Sequence, residues 1–280
     1  MSLTEFTKKK EFLVCVDSDG CAMDTMDIKH IRCFGPCMVK EWALSAWEKD
    51  ILPRWNEINL YSMTRGINRF KALYIALCEI NEKYSKIENL EGLKAWVESS
   101  DELSNSSLKR EIEKSPECIC LKKALSWSES VNEEIKKLPE SAKKPFEMCK
   151  QALIFAHERA DIAIVSSANR DAVLEEWKKF GLLEHTDIVL SQDAGSKAFC
   201  IAELIKKGYD KDKIVMCGDA PGDKDAALKN GVFFFPILVK KEKKSWQEFI
   251  NTGFEKLVCG DFEGKYQIEK INEFINNLTK

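Results

Sequence analysis

The chain has 280 residues, of which 44% are hydrophobic and 32% charged, and its formal net charge is -3. This length favours two domains, and this composition is typical of a folded globular protein and excludes a disordered one. The mildly acidic balance gives no electrostatic reason to expect a nucleic acid or an anionic membrane as partner, so we expect neither.

Features of export and of membrane insertion are absent from the sequence. No apolar run is long enough to cross a bilayer, and the first ten residues lack the apolar stretch of a secretory signal. Eleven cysteines without such a signal are typical of reduced thiols in a cytosol. We therefore predict a cytoplasmic protein, and we interpret its cysteines as small buried hydrophobic residues because their closest pairs lack zinc-site spacing.

Four short apolar segments predict strands that are buried on both faces of a parallel sheet. They cover residues 12–16, 162–165, 188–190 and 214–217. Helical patterns separate the later segments, as crossover helices would. These patterns cover residues 170–180, 196–207 and 223–230. Because ligands of such sheets bind at the carboxyl ends of the strands, the polar residues that follow the strands should meet in one crevice.

The segment between Ala22 and Phe146 has almost no strand signal and is rich in helix-forming residues. We interpret it as a helical module inserted after the first strand. Its later part, residues 98–145, is more polar and predicts loose packing or a mobile loop. A last strand at 232–239, interrupted or ended by Pro236, returns the chain to the sheet. Amphipathic helices are predicted after it, at residues 245–253 and 267–278.

Two acidic clusters follow two of the predicted strands. Asp17 and Asp19 come just after the first strand, where Gly20 permits a turn, and Asp219 and Asp223 follow the strand at 214–217. Carboxylates ~4 Å apart repel each other by about 4 kcal/mol at an effective dielectric near 20, so they persist where a cation binds or one is protonated. Each cluster alone is explained by a solvated strand end or a helix cap. Together, Asp17, Asp219 and Asp223 predict an oxygen-only site that suits Mg²⁺.

Ser166 and Lys197 are the candidates for contacts with an anion. Ser166 ends a predicted strand, and the helix that follows Ser167 and Asn169 offers free backbone N–H groups to an anion. Lys197 lies in the first turn of its helix, where a cation opposes the helix dipole. That position is tolerable if Lys197 faces carboxylates or a phosphate, and the alternative is a solvated surface lysine.

Arg65 and Arg69 are the candidate cations of the inserted module. They stand four residues apart, which predicts that they share one face of a helix. Arginine binds phosphate oxygens bidentately, so the pair is a candidate to bind a substrate phosphate. A solvated helix face is an equally good interpretation.

The order of these motifs along the chain is similar to the four motifs of the haloacid dehalogenase superfamily. The motifs are Asp-x-Asp-Gly, a Ser that ends a strand, a Lys, and Gly-Asp-x-x-x-Asp, and the resemblance covers residues 12–22 and roughly 162–231. It implies an α/β fold with a Rossmann-like parallel sheet, helices on both of its faces, and an inserted all-helical cap domain. Residues 1–22 and 147–280 would form the core domain, and residues 23–146 the cap.

The resemblance also implies the roles of the site residues. Asp17 would be the nucleophile that accepts a phosphoryl group, and Asp19 the general acid and base. Ser166 would donate to the phosphoryl oxygens, and Lys197 would offset negative charge beside Asp17. Mg²⁺ would be held by Asp17, Asp219, Asp223 and the backbone carbonyl of Asp19. Further contacts with the substrate are expected from Gly20, Ser167, Asn169, Arg65 and Arg69.

The predicted function is that of a Mg²⁺-dependent phosphatase that hydrolyses a small phosphorylated metabolite through an aspartyl-phosphate. One alternative is a sugar-phosphate mutase on the same scaffold, which would return the phosphoryl group to its substrate. Another is a non-catalytic relative that only holds a ligand, although every expected catalytic position is filled. The sequence predicts neither the identity of the substrate nor an oligomeric state.

Overall fold

The computed structural model describes residues 3–279, which form two compact units. One unit contains the chain up to Met26 together with the chain from Ser141 onward, and the other is Asp27–Glu140. The division into a core domain of residues 1–22 and 147–280 and a cap domain of residues 23–146 remains a prediction.

A five-stranded parallel sheet lies in the first unit, in the order β5-β4-β1-β6-β7. In chain order, the strands are β1 (Phe12–Val16), β2 (Met23–Asp24), β3 (Lys144–Pro145), β4 (Ala160–Val165), β5 (Ile188–Leu190), β6 (Ile214–Gly218) and β7 (Phe233–Pro236). Strand β1 is central and pairs in parallel with β4 and β6. The predicted parallel α/β sheet is confirmed, and its last strand ends at Pro236.

Strands β2 and β3 were not predicted. They pair with each other antiparallel, Met23 opposite Pro145 and Asp24 opposite Lys144. Two residues are too few to produce an alternating pattern in the sequence, so this pair left no signal. It joins the two chain segments that connect the units, since β2 precedes the helical unit and β3 follows it.

The second unit is helical. Its helices, counted from the connection that leads into it, are α1 (Met26–Lys29), α2 (Gly35–Glu41), α3 (Glu48–Asn56), α4 (Arg69–Lys83), α5 (Leu90–Ser99), α6 (Asn105–Lys114) and α7 (Ile119–Lys136). The expectation of loose packing after residue 98 is wrong for α6 and α7, which occupy most of that stretch, and a mobile loop outside these helices stays a prediction. Trp127 of α7 is fully buried, and its ring centroid lies 6.0 Å from that of Trp55. The many polar residues of α7 made its apolar face hard to recognise in the sequence.

The remaining helices belong to the first unit. They are α8 (Cys149–His157), α9 (Arg170–Lys179), α10 (Lys197–Ile205), α11 (Pro221–Asn230), α12 (Glu242–Glu248), α13 (Phe254–Val258) and α14 (Lys265–Leu278). Helices α9, α10 and α11 follow β4, β5 and β6, so the predicted crossover pattern is confirmed. The helix predicted at 245–253 is α12 followed by a π-helical turn at Phe249–Gly253.

Two further sequence expectations concern the thiols and the membrane. All eleven cysteines have free thiols, and most of them are buried. Of the helices within residues 3–279, none is both long and apolar enough to cross a bilayer. The cytoplasmic location remains a prediction.

Candidate active site

The sheet order brings the two acidic loops side by side. Strands β1 and β6 are parallel neighbours, and Val16 pairs with Cys217 at their carboxyl ends. The next residue, Asp17, donates its backbone N–H to the Cys217 carbonyl over 3.0 Å. Asp17, Asp219 and Asp223 are all buried, and each contributes a carboxylate oxygen to a group whose members lie within 4.8 Å of one another. The two acidic loops therefore converge at one edge of the sheet.

Lys197 lies inside this group of carboxylates. Its Nζ is 2.9 Å from Oδ2 of Asp17 and 2.5 Å from Oδ1 of Asp223. Ser196 caps helix α10 by accepting the N–H of Phe199 over 3.2 Å, which fixes Lys197 in the first turn. The Lys197 side chain is only 14% exposed, so the alternative of a solvated surface lysine is wrong.

Asp223 organises the second acidic loop. Its Oδ2 accepts the backbone N–H groups of Asp219 and Ala220, over 3.2 and 3.0 Å, while its Oδ1 faces Lys197. Gly218 has to be glycine, because a Cβ at that position would collide with the Asp223 side chain. The helix-cap interpretation of Asp223 therefore holds for one carboxylate oxygen, and the other belongs to the charged group.

The charges of the group are incompletely balanced. Burial raises the pKa of Asp17 to about 7; Lys197 opposes this rise, and Asp223 and Asp219 add to it. Burial alone would lower the pKa of Lys197, but Asp17 and Asp223 outweigh it and hold that pKa above its ordinary value. One ammonium thus stands against three buried carboxylates, and such an oxygen-only, negatively charged set fits a hard divalent cation such as Mg²⁺.

The side chain of Asp19 is held by a hydrogen bond from Thr25. Oγ1 of the buried Thr25 donates to Oδ1 of Asp19 over 2.6 Å. The chain turns between these residues at Gly20, which has a φ of +84° and donates its N–H to the Met23 carbonyl over 2.9 Å. Sequence reasoning missed Thr25, because its position depends on this turn and on the two-residue strand β2.

Two tryptophans anchor the loop that carries Asp17 and Asp19. Nε1 of Trp177, on α9, donates to Oγ of Ser18 over 2.9 Å. Nε1 of Trp246, on α12, donates to the Cys21 carbonyl over 3.1 Å. Both tryptophans are fully buried. The sequence analysis did not assign them to the site. No sequence feature distinguishes a buried tryptophan that donates a hydrogen bond to a loop from one that only packs in the hydrophobic core.

Ser166 follows β4, the other neighbour of β1, and is buried. Its Oγ accepts the N–H of Ala168 over 3.2 Å. Asn169 caps α9, because its Oδ1 accepts the N–H groups of Asp171 and Ala172 over 3.1 and 3.2 Å. The expectation that this helix start offers free N–H groups is therefore wrong for those two amides. Contacts of Ser166, Ser167 and Asn169 with a substrate remain a prediction.

The two arginines do not share a helix face, so that prediction is wrong. Gly66 has a φ of +69°, and α4 begins only at Arg69. Arg65, before the helix, is buried and donates from Nη1 to the Leu60 carbonyl over 2.7 Å. Arg69 donates from Nη1 to Oγ of Ser128 over 3.0 Å and to Oδ1 of Asn132 over 2.8 Å. Both guanidinium groups are thus held by residues of the helical unit.

Comparison with known proteins gives a family and a fold. A sequence model of the family described as haloacid dehalogenase-like hydrolase matches residues 68–237, which include Ser166, Lys197, Asp219 and Asp223. No curated protein matches the chain. A solved structure assigned as a β-phosphoglucomutase, from Thermotoga maritima, is 16% identical with a TM-score of 0.51, and the match covers 87% of this chain and 99% of that one.

A second solved structure is assigned as a phosphoglycolate phosphatase from Lactobacillus delbrueckii subsp. bulgaricus. It is 14% identical with a TM-score of 0.50, and the match covers 81% of this chain and 86% of that one. At these identities, both likenesses show a shared fold and carry no statement about activity.

Proposed function

The chain belongs to the haloacid dehalogenase-like hydrolases, and from this premise we propose that it is a Mg²⁺-dependent phosphatase acting through an aspartyl-phosphate on Asp17. The observation that carries the proposal is the buried group of Asp17, Asp219 and Asp223 with Lys197 bound to it. Buried charges are retained where they bind a cation or take part in chemistry. The proposed substrates are small phosphorylated metabolites.

The covalent step uses Asp17. Lys197 forms an ion pair with Oδ2 of Asp17 over 2.9 Å. A carboxylate oxygen of Asp17 forms a bond to phosphorus while the bond between phosphorus and the ester oxygen breaks. Asp19 gives its proton to the leaving oxygen, so that a neutral alcohol departs. The phosphoryl group is then carried by Asp17.

The second step returns the enzyme to its starting state. Asp19, now a carboxylate, takes a proton from water, and the water oxygen attacks phosphorus. The bond between phosphorus and Asp17 breaks, inorganic phosphate leaves, and Asp17 is again a carboxylate. The bond from Thr25 keeps Asp19 oriented through both proton transfers.

The proposed metal site uses Asp17, Asp219 and the backbone carbonyl of Asp19, with Asp223 bound directly or through water. Bound Mg²⁺ would offset the repulsion between Asp17 and the phosphate dianion, and such charge stabilisation, together with positioning, is most of what phosphoryl transfer requires of a protein. Asp223 already accepts three hydrogen bonds, which favours an indirect role for it.

The proposed phosphate contacts are Ser166 and the backbone around Gly20, with Ser167 and Asn169 nearby in the chain. Arg69 remains a candidate contact with an anionic group. Burial lowers its pKa to about 10, and its contacts within residues 3–279 are polar or aromatic and include no carboxylate. Arg65 also stays a candidate, although its bond to the Leu60 carbonyl supports a structural role.

Phosphate release from p-nitrophenyl phosphate tests the proposal. We expect release that requires Mg²⁺ and disappears in Asp17→Asn. Asp225→Asn is the matched control, because Asp225 is an exposed residue of α11 outside the charged group. Activity retained in Asp17→Asn would contradict the covalent mechanism. A mutase would show little turnover unless given a sugar bisphosphate, and a non-catalytic relative would release no phosphate from any ester.

A further inference from the structure

A lysine-rich segment follows strand β7. Residues 240–244 read Lys-Lys-Glu-Lys-Lys, on a chain whose formal net charge is -3. All four lysines are exposed. With Glu242 and Gln247 they line a shallow, open depression of about 500 Å³. The chain thus concentrates positive charge at one point of its surface.

This segment leaves the sheet beside the loop of Asp219. Pro236, the last residue of β7, pairs with Gly218, and Ile237 donates its N–H to the Gly218 carbonyl over 2.8 Å. Asp219 is the next residue of that loop. Lys240 follows Pro236 by four residues, so the two lie within about 14 Å even in a fully extended chain. The flexible stem of a lysine extends this reach further.

The same segment is also tied to the loop of Asp17. Helix α12 begins at Glu242, and its Trp246 donates to the Cys21 carbonyl over 3.1 Å. Ser245 fixes the turn before the helix, because its Oγ accepts the N–H of Leu238 over 3.0 Å. Hydrogen bonds of Ile237 and Trp246, which flank the lysine-rich segment, therefore reach both acidic loops, so the segment leaves the sheet at the edge where the three carboxylates lie.

Part of its positive charge has no acidic counterpart in the part of the chain that the structure describes. Lys243 pairs with Glu147, and Glu242 accepts the backbone N–H of Lys240 over 2.8 Å. Lys241 and Lys244 have no carboxylate partner within residues 3–279. Neighbouring exposed ammonium groups repel each other. Screening by solvent ions or by a bound anion lowers the free-energy cost of that repulsion.

The backbone of this segment is also strained. Lys240 has a φ of +63°, a left-handed conformation that is uncommon for a residue other than glycine. Such residues cluster at ligand-binding and catalytic segments, where the surrounding bonds hold them. The bond from the Lys240 N–H to Glu242, and that from the Lys241 N–H to the Leu238 carbonyl over 2.9 Å, hold this turn.

We propose that residues 240–244 bind a second anionic group of the substrate. The preferred substrates would then be small phosphate esters that carry another phosphate or a carboxylate. The inference rests on the proposed function for the position of the first phosphate at the three carboxylates. Lysine binds anions as a flexible point charge, so the segment would accept either group.

Equilibrium binding of two matched sugars tests this proposal. Fructose 1,6-bisphosphate and fructose 6-phosphate differ only in the second phosphate, and Asp17→Asn with Mg²⁺ prevents turnover during titration. We expect the bisphosphate to bind about tenfold more tightly, which corresponds to one hydrogen-bonded ion contact. Adding Lys241→Gln and Lys244→Gln should reduce the ratio of the two affinities to about one.

The control removes the same charge at the other end of the unit. Lys206 and Lys207 follow the last residue of α10, whereas Lys197 begins that helix at the carboxylates. Lys206→Gln with Lys207→Gln should leave the ratio unchanged. The proposal is wrong if the bisphosphate binds no more tightly than the monophosphate, if the ratio survives in the Lys241 and Lys244 variant, or if the control lowers it equally. Absence of phosphate release by the unmodified protein would contradict the proposed function alone, because the binding ratio is measured without turnover.

Discussion

Nζ of Lys197 lies 2.9 Å from Oδ2 of Asp17, so the first residue of helix α10 is joined by an ion pair to the residue that follows the central strand. The same ammonium lies 2.5 Å from Oδ1 of Asp223. One cation thereby links the loop after β1 to the loop after β6. Removing one partner of a buried ion pair leaves the other charge without compensation. The resulting loss in the free energy of unfolding exceeds the net stabilisation that the intact pair provides.

Lys197→Met removes the ammonium and keeps a side chain of similar length. We expect the free energy of unfolding to fall by about 3–5 kcal/mol, because Asp17 and Asp223 lose their cation. Activity should fall by about a hundredfold or more. Urea unfolding and p-nitrophenyl phosphate turnover measure the two effects. Lys206→Met, at an exposed position, should change neither by much, and equal losses in both variants would contradict the role of Lys197.

The pKa of Asp17 predicts how Mg²⁺ stabilises the protein at different pH values. That pKa is raised by burial from 3.8 to about 7, so the folded state holds the proton more tightly than the unfolded state does. The contribution of Asp17 to the stability of the metal-free protein is therefore greatest below 3.8 and is lost as the pH rises to about 7. A cation needs the deprotonated carboxylate, so the rise in Tm caused by Mg²⁺ should be larger at about pH 8 than at about pH 5.5.

Asp17→Asn is the control for this pH effect. It removes the titrating group and one of three repelling carboxylates, while Lys197 keeps its ion pair with Asp223. The Tm of the metal-free variant should therefore exceed that of the unmodified protein at about pH 8. The rise in Tm caused by Mg²⁺ should then differ little between the two pH values, because the titrating carboxylate is gone. A larger Mg²⁺ effect at the acidic pH in the unmodified protein would refute the linkage.

Thr25→Val removes the hydroxyl that donates to Asp19 and keeps the shape of the side chain. Both proton transfers depend on the orientation of Asp19, so kcat should fall by about tenfold or more with little change in KM. Thr25→Ser keeps the hydroxyl and should retain most of the activity. Equal kcat values for the Val and Ser variants would show that Thr25 has only a packing role.

Trp177→Phe removes the hydrogen bond to Ser18 while keeping an aromatic ring in the core. We expect a loss of about 1–2 kcal/mol in the free energy of unfolding and a clear fall in kcat. Trp96→Phe is the matched control, because Nε1 of Trp96 donates to Ser107 within the helical unit. That variant should lose stability and keep its kcat. Unchanged kcat in Trp177→Phe would contradict an anchoring role for this tryptophan.

The parallel sheet was predictable because its strands are continuously apolar. Val14 and Cys15 are fully buried, as a strand covered on both faces requires, and residues 12–16 form the strand that the pattern predicted. The convergence of Asp17 and Asp219 followed from the same pattern, because neighbouring parallel strands end at the same edge.

Features that depend on turns and on single hydrogen bonds were not predictable from spacing. The interval between Arg65 and Arg69 fits a helix, but Gly66 adopts a positive φ and Asn68 caps the helix that follows, its Oδ1 accepting the N–H of Phe70 over 2.9 Å. Asn169 likewise uses its side-chain oxygen as a cap. At Arg69 this contact decided where the helix begins, and at Asn169 it occupied N–H groups that the sequence analysis had left free for an anion.

Trapping of the phosphorylated enzyme tests the central claim most directly. The protein is mixed with p-nitrophenyl phosphate and Mg²⁺, treated rapidly with borohydride, and digested for mass spectrometry. An acyl phosphate is reduced by borohydride to the alcohol, so the account predicts homoserine at position 17, dependent on both substrate and Mg²⁺. Phosphate release with an unmodified Asp17, or with homoserine at another aspartate, would contradict it.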